Sequence, residues 1–397
     1  MFERIGPAPE DGLIALIGKF REDPRRNKID GSVGVYRDQT GNTPIFAAVK
    51  EAERKLLERQ TSKTYLGLLG DTAFNDAMAA QVLGPVLDKS RTRAMQAPGG
   101  CGALRNLMDL LTHTNPDTVL WVSKPTWVNH LPMAKAARLT VREYPYFDLA
   151  SQTILFDQMM QGLKQAKAGD VVLLHGCCHN PTGADLSPAQ WDELASFMAA
   201  SGLIAFVDFA YQGFGEGLET DAYGVRKIAS TLDETLIANS CSKNFGLYRD
   251  RVGTSIVIGK TSDSADRALG SLKTIARASY SMPPDHGAAV VSTILGDMKL
   301  TQSWKDELAA QCGRINNLRK LLADALRQRS NSSDFDFLTG QRGMFSVLPL
   351  TPQQVAELLQ EHAVYMPSNG RINIAGIHED KVDALAQAIV AVGAVAS

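Results

Sequence analysis

The sequence predicts an α/β fold, with a large domain whose mostly parallel central sheet is covered by helices and a smaller α+β domain. Two observations favour this fold. The 397 residues exceed the length at which one hydrophobic core usually stops growing. In the middle of the chain, short β-rich runs alternate with helical patterns, which is typical of a parallel sheet.

The strands of this sheet are predicted where apolar and β-branched residues cluster. Such runs occupy residues 118–123, 171–176, 203–208, 235–239 and 252–258. A helix is expected at about 188–200, between two of these strands. Because ligands in open α/β sheets bind beyond the carboxyl ends of the strands, polar residues at those ends are the first candidates for a functional site.

The last part of the chain has a different pattern. Helical periodicity extends from Pro284 to Leu326, and a strand-like run at 343–350 and a final amphipathic helix at about 379–392 follow. The composition also shifts near residue 310. We therefore predict a large domain at 45–310 and a small domain formed by 1–44, with an N-terminal arm, together with 311–397.

The composition excludes several classes of protein. Lys plus Arg number 41 and Asp plus Glu number 43, so no basic surplus exists for binding nucleic acid or an anionic membrane. The apolar runs are too short to span a bilayer, and the N-terminus lacks the apolar core of a secretory signal. The five cysteines are few and odd in number, which fits a reducing compartment. We expect a cytoplasmic protein that acts on small molecules.

Two charged residues follow predicted strands. Asp208 ends an apolar run, and Lys243 stands just past another strand. A lysine can form a Schiff base with an aldehyde cofactor while a carboxylate keeps a pyridinium nitrogen protonated, which indicates pyridoxal 5′-phosphate (PLP). Taken alone, Asp208 is better explained as a helix N-cap and Lys243 as a solvated side chain.

Two turns add to this picture. Residues 97–104 form a glycine-rich turn that opens a helix, where backbone N–H groups can bind a phosphate. It is not a dinucleotide fingerprint, because residue 105 is Arg and neither a preceding strand nor a distant acidic residue is expected. A second turn, Asn180-Pro181-Thr182-Gly183, places the Asn180 amide after a buried strand.

Four longer motifs show a resemblance to a known family. They are HGCCHNPTG at 175–183, DFAYQGF at 208–214, SKNFGLYRDRVG at 242–253 and GRINIAG at 370–376. In these motifs the chain resembles the aspartate and aromatic-amino-acid aminotransferases of subfamily I, which have fold type I of the PLP enzymes. The similarity extends from Gly34-Val35-Tyr36 to Arg371, with the motifs in the family's order.

The resemblance implies a role for each matching residue. Lys243 matches the Schiff-base lysine, Asp208 the partner of the pyridine nitrogen, and His130 the residue that supports that aspartate. The catalytic residues would be Lys243, Asp208 and Tyr211. The cofactor-binding residues would be these three with Gly100, Cys101, Trp127, Asn180, Ser240, Ser242, Arg251 and Tyr65. The substrate-binding residues would be Gly34, Trp127, Asn180, Arg277 and Arg371.

The same resemblance implies a homodimer with shared active sites. Tyr65 would reach the phosphate from the other subunit, and Arg277 of the other subunit would bind the distal carboxylate of aspartate or glutamate. Arg371 would bind the α-carboxylate as a bidentate fork. His175 and His179 superficially resemble a metal site, but on a strand and its turn that spacing is not expected to converge, so no metal is predicted.

The chain departs from the family's pattern at three positions. Cys101 replaces a Thr or Ser of the phosphate turn, Met282 replaces an Asn found in relatives that prefer dicarboxylates, and Thr64 stands where Asn is common. A thiol is a weaker hydrogen-bond donor than a hydroxyl, and Met can adapt its packing to an aromatic ring. These changes favour a broadened substrate range.

The resemblance therefore predicts a PLP-dependent aminotransferase. It would move the amino group of aspartate, tyrosine or phenylalanine to 2-oxoglutarate by a ping-pong mechanism. A strict aspartate aminotransferase is the alternative within this class. A PLP-dependent lyase or decarboxylase of the same fold, and a non-enzymatic PLP-binding regulator, are the alternatives of other classes.

Overall fold

The computed structural model describes residues 1–6 and 12–394. Fourteen helices in this part of the chain are α1 (Gly12–Glu22), α2 (Ala47–Arg59), α3 (Thr72–Leu83), α4 (Gly99–Thr114), α5 (His130–Ala136), α6 (Phe156–Leu163), α7 (Pro188–Ser201), α8 (Tyr223–Thr231), α9 (Ser262–Ser279), α10 (Asp285–Leu295), α11 (Met298–Ser330), α12 (Phe337–Gly340), α13 (Pro352–His362) and α14 (Val382–Ala391).

The strands form one large sheet and three small ones. They are β1 (Ile29–Asp30), β2 (Thr92–Pro98), β3 (Val119–Lys124), β4 (Thr140–Pro145), β5 (Phe147–Asp148), β6 (Thr153–Ile154), β7 (Val171–His175), β8 (Ile204–Phe209), β9 (Thr235–Ser240), β10 (Val252–Ile258), β11 (Phe345–Val347), β12 (Val364–Tyr365) and β13 (Arg371–Asn373). The large sheet has seven strands in the order β2-β10-β9-β8-β7-β3-β4.

The large sheet is mostly parallel, as predicted. Only β10 runs against its neighbours, β2 and β9, in this sheet. The register pairs His175 with Asp208 and Asp208 with Ala238, so β7, β8 and β9 end at nearly the same level. The polar residues that follow these strands therefore meet at one edge of the sheet.

Local signals explain where the helices begin and end. Ser187 caps α7 with a capping box to Gln190, and Gly202 ends the helix in the left-handed conformation with φ of 65°. Asp297 caps α11 by accepting hydrogen bonds from two backbone N–H groups, which divides the predicted helical stretch after Pro284 into α10 and α11.

The hydrophobic core has separate clusters. Two large clusters cover the two sides of the seven-stranded sheet. A third joins Ile29 to residues from Leu318 onwards, in α11, α13, α14 and the short strands. Helix α11 runs without a break through position 310, from the first region to the third cluster. A domain boundary at 310, with the segments 1–44 and 311–397 in one small domain, stays a prediction; 7–11 and 395–397 lie outside the described residues.

Some sequence predictions need correction. The strand expected at 343–350 is only Phe345–Val347, and the last helix begins at Val382 after a short 3₁₀ turn. A strand was not expected before the glycine-rich turn, but β2 leads directly into it. β2 and β4 carry several polar side chains, which obscured the strand pattern. Among the described helices, none is both long and apolar enough to cross a membrane.

Candidate active site

A cavity of about 140 Å³ lies beyond the carboxyl ends of β7, β8 and β9. Its lining contains Gly100, Cys101, Leu104, Trp127, Asn180, Asp208, Ala210, Tyr211, Ser240, Ser242, Lys243, Tyr248 and Arg251. Ten of the residues singled out in the sequence therefore meet in one cavity. Leu104, Ala210 and Tyr248 were not predicted as site residues. Tyr248 lies within the motif SKNFGLY, so its hydroxyl was a candidate hydrogen-bonding group in the sequence.

Lys243 follows β9 and points into this cavity. Burial lowers the pKa of its amine, and the nearby Asp208 carboxylate opposes that shift. Its Nζ atom lies 4.9 Å from the centre of the Tyr211 ring. A lowered pKa increases the fraction of neutral amine, which is the form that attacks a carbonyl and accepts a proton.

Asp208 lies at the floor of the cavity against His130. The His130 Nε2 atom is 3.1 Å from Asp208 Oδ2, and the other ring nitrogen is 2.8 Å from Thr126 Oγ1. Burial by itself would raise the pKa of Asp208, but the hydrogen bond and the charge of His130, with His175 and Lys243, outweigh it and lower the pKa. The carboxylate is thus held in its charged form, as a partner for a protonated ring nitrogen must be.

The glycine-rich turn forms a cradle between β2 and α4. Gly99 has φ of 72°, and a Cβ atom there would lie 2.4 Å from an Arg251 guanidinium nitrogen. A Cβ atom at Gly100 would lie 3.0 Å from Ser240 Cβ. No side chain caps the start of α4, so its first N–H groups are open to an anion. Backbone donors, hydroxyls and a guanidinium are the groups that a phosphate requires.

The walls of the cavity come from three aromatic and polar side chains. Asn180 Nδ2 lies 3.4 Å from the Tyr211 hydroxyl, to which it donates, and burial raises the pKa of that hydroxyl, which keeps it protonated. Trp127 also lines the cavity and stands edge-on to His130, with ring centres 5.3 Å apart. The cavity thus offers both hydrogen-bond donors and an apolar ring.

Arg371 lies next to this cavity rather than in it. It lines a neighbouring cavity of about 490 Å³ that shares Asn180 with the first. Its Nη2 atom donates to the Ser32 carbonyl at 2.9 Å, and its guanidinium lies 4.5 Å from the centre of the Phe345 ring. Within residues 1–6 and 12–394 it has no carboxylate partner. A buried guanidinium without a counter-charge is well suited to a carboxylate ligand.

Gly34 lies at the tip of the same aromatic ring. A Cβ atom at Gly34 would be 2.8 Å from Phe345 Cζ, so a larger residue would displace the ring. Gly34 does not line the cavity that contains Lys243 and Asp208.

Tyr65 and Arg277 do not line the cavity of their own chain. The Tyr65 side chain is 88% exposed, and Arg277 donates to Ser281 Oγ at 2.7 Å on the surface. Met282 contacts the segment after Tyr65, since its sulfur accepts from the Leu66 N–H group at 3.1 Å. The single chain does not bring Tyr65 and Arg277 to the other site residues, so their roles stay predictions.

His175 and His179 were not expected to converge, and this expectation is wrong. Their ring centres are 4.0 Å apart. Hydroxyl groups of Ser123 and Thr182 lie within hydrogen-bond distance of both ring nitrogens of His179. The pair is therefore part of a buried hydrogen-bond network behind the cavity.

Comparisons with known proteins agree with this geometry. Residues 26–389 match the family Aminotransferase class I and II. The chain is 48% identical to a tyrosine aminotransferase of Rhizobium meliloti (strain 1021), over 95% of this chain and 96% of that protein. It is 44% identical to an aspartate aminotransferase of Escherichia coli (strain K12), over 99% and 100%.

A solved structure shows the same fold. It is an aromatic-amino-acid aminotransferase from Burkholderia pseudomallei, described as covalently bound to pyridoxal phosphate, with a TM-score of 0.96, 38% identity and 99% of both chains covered. The predicted fold and enzyme class are thereby confirmed, and the lysine, the carboxylate and the phosphate cradle fit the cofactor. The chain belongs to the class I and II aminotransferases, a family of enzymes that depend on PLP.

Proposed function

We propose that this aminotransferase moves the amino group of aspartate, tyrosine or phenylalanine to 2-oxoglutarate. The observation that carries the proposal is the buried Arg371 guanidinium, which has no carboxylate partner in the described chain and lies beside the cavity that contains Lys243 and Asp208. Every amino acid and 2-oxo acid offers a carboxylate to such a group. Relatives with both substrate names, tyrosine and aspartate aminotransferase, support the two kinds of donor.

The residues would act around the cofactor as follows. PLP, when bound, supplies an electron-withdrawing ring that makes the proton on the substrate α-carbon acidic. Lys243 would hold the cofactor and then take and return that proton, for which a lowered amine pKa is suitable. Asp208, supported by His130, would keep a ring nitrogen protonated, and Tyr211 and Asn180 would donate hydrogen bonds to the ring oxygen.

Other residues would bind the phosphate group of the cofactor and the α-carboxylate of the substrate. The phosphate would bind Gly100, Cys101, Ser240, Ser242 and Arg251, and Trp127 would stack on the cofactor ring. Arg371 would bind the substrate α-carboxylate together with Gly34 and Asn180. In this arrangement the reacting α-carbon would lie between Lys243 and the carboxylate-binding groups.

Substrate range depends on groups outside the single chain's cavity. We propose that the chain forms a homodimer in which Tyr65 completes the neighbouring phosphate site and Arg277 faces the neighbouring substrate. Both side chains are exposed on one chain, which supports this arrangement. Met282, close to the Tyr65 segment, would give an apolar surface for an aromatic ring. We also propose a cytoplasmic location, in line with the cysteines, all five of which are free thiols.

A steady-state panel tests the proposed reaction. kcat/KM is measured for aspartate, tyrosine, phenylalanine and tryptophan with 2-oxoglutarate, and double-reciprocal plots at several 2-oxoglutarate concentrations should be parallel, as a ping-pong mechanism requires. Release of carbon dioxide or ammonia in place of a stoichiometric 2-oxo acid would instead show a decarboxylase or lyase. Turnover of aspartate alone would leave a strict aspartate aminotransferase.

A further inference from the structure

The segment that carries Gly34 is held by one short strand. β13 contributes Arg371 and Asn373, two residues apart, so their side chains emerge on the same side of the strand. Phe345 of β11 is paired directly with Asn373 and shares that side. Gly34 packs against the Phe345 ring. The side chains of Arg371, Asn373 and Phe345 in this two-stranded sheet therefore all lie on the side that contacts the Gly34 segment.

Asn373 binds the two residues that flank Gly34. Its Nδ2 atom donates to the carbonyl of Val35 at 2.8 Å and also to the carbonyl of Val33. The Val35 N–H group donates to the Val33 carbonyl at 2.9 Å, which is the hydrogen bond of a γ-turn with Gly34 at its centre. The Asn373 amide thus fixes both ends of this turn from outside.

The Asn373 side chain is buried, and its hydrogen bonds to other described residues are the two that it donates to this turn. It is 1% exposed, and its Oδ1 atom has no hydrogen-bond partner among the described residues. A buried amide oxygen without a partner is costly, and an apolar residue of similar volume would avoid that cost. The two donated hydrogen bonds are the gain that offsets it.

We propose that Asn373 is a positioning residue for the substrate carboxylate. It holds the Gly34 turn at a fixed place relative to Arg371, whose guanidinium binds the preceding carbonyl, that of Ser32, at 2.9 Å. The positions of both groups proposed to bind the α-carboxylate then depend on β13. Arg371 belongs to this strand, and the Gly34 turn is held by Asn373 of the same strand. This inference rests on the proposed function, since it requires that Gly34 and Arg371 bind the carboxylate.

The test is the holoenzyme of Asn373→Ala. Because the lost positioning affects the bound substrate and the transition state alike, KM for aspartate and for phenylalanine should each rise by at least about tenfold while kcat changes by less than about threefold. The cofactor's absorbance spectrum and its dissociation constant should stay unchanged, because Asn373 does not line the cofactor cavity.

A second readout needs no turnover. 3-Phenylpropionate offers a carboxylate without an amino group, and its dissociation constant is measured by titrating the absorbance of the bound cofactor. It should rise by the same factor as KM. Unchanged KM values and an unchanged dissociation constant in a variant with the wild-type spectrum would overturn the proposal.

Asn316→Ala is the matched control. The Asn316 amide likewise donates to a backbone carbonyl, that of Gly215 at 2.9 Å, and leaves its Oδ1 atom unpaired, but it makes no hydrogen bond to the Gly34 turn. It should lower the melting temperature without changing KM. Equal changes of KM in both variants would show that Asn373 acts only through general stability, which also overturns the proposal.

If Asn373→Ala does not fold, Asn373→Leu keeps a similar side-chain volume but has no NH₂ donor, and the same criteria apply to it. Failure of the proposed function would appear separately, as absence of transamination in the wild-type enzyme, whereas failure of this inference would leave wild-type turnover intact.

Discussion

His130 Nε2 lies 3.1 Å from Asp208 Oδ2, and the His130 ring is fully buried behind the cavity. The Thr126 hydroxyl meets the second ring nitrogen at 2.8 Å, so the ring is held in place from both ends. The proposed chemistry requires an ionised carboxylate in a buried site, where burial opposes ionisation. His130 supplies the hydrogen bond and charge that reverse this tendency.

His130→Gln should therefore change the pH dependence of the reaction. The pKa of Asp208 is lowered in the wild-type protein, so the carboxylate is present above that pKa and is lost as the pH falls through it. Without the charge of His130 this pKa should rise, and the acidic limb of the kcat/KM profile should move to higher pH. An acidic limb at the wild-type position would show that His130 does not control the ionisation of Asp208.

Lys243→Ala should abolish covalent attachment of the cofactor. Lys243 points into the cavity with a lowered pKa, as an amine that attacks an aldehyde must. In the wild-type holoenzyme, borohydride reduction should fix the cofactor to the peptide that contains Lys243, which mass spectrometry identifies. Attachment to any other lysine would contradict the assignment.

Cys101→Thr should have a small effect on cofactor affinity. Cys101 lines the cradle, but Arg251, the serines and the first N–H groups of α4 supply most of the donors there. A hydroxyl adds one hydrogen bond, of about 0.5–1.5 kcal/mol, so the dissociation constant of PLP should fall by no more than about tenfold. The measurement is a fluorescence titration of the apoenzyme. A large loss of affinity would mean that the cavity is shaped around the sulfur atom.

Arg277→Leu should separate the two kinds of substrate. Loss of a charge-assisted bidentate contact should lower kcat/KM for aspartate by at least about 100-fold, while phenylalanine, which has no distal carboxylate, should change by less than about tenfold. The comparison variant is Arg371→Leu, which should harm both substrates equally because both present the same α-carboxylate. Intact aspartate turnover in Arg277→Leu would place the distal carboxylate site elsewhere.

Most of the cavity could be predicted because its residues follow strongly apolar strands. Asp208 and Lys243 stand at the ends of β8 and β9, where the change from apolar to polar residues is abrupt. β2 and β4 were not predicted, since Arg93 and Gln96 in one and Arg142 and Glu143 in the other interrupt the apolar pattern. In β2, the buried Gln96 side chain makes hydrogen bonds with the backbone of Asp71 and Pro284. These partners are distant in the sequence, so a local pattern does not reveal them.

The sequence by itself determined the fold class, the strands that end at the cavity and the positions of Asp208 and Lys243 at those ends, because periodicity and motif are local properties of the chain. Only the tertiary structure decided which distant groups meet. Arg371 binds the Ser32 carbonyl, 339 residues away along the chain, and Tyr248 accepts a hydrogen bond from the Tyr36 N–H group. The partner of a buried donor depends on how whole elements pack, and packing of this kind leaves no periodic trace in the sequence.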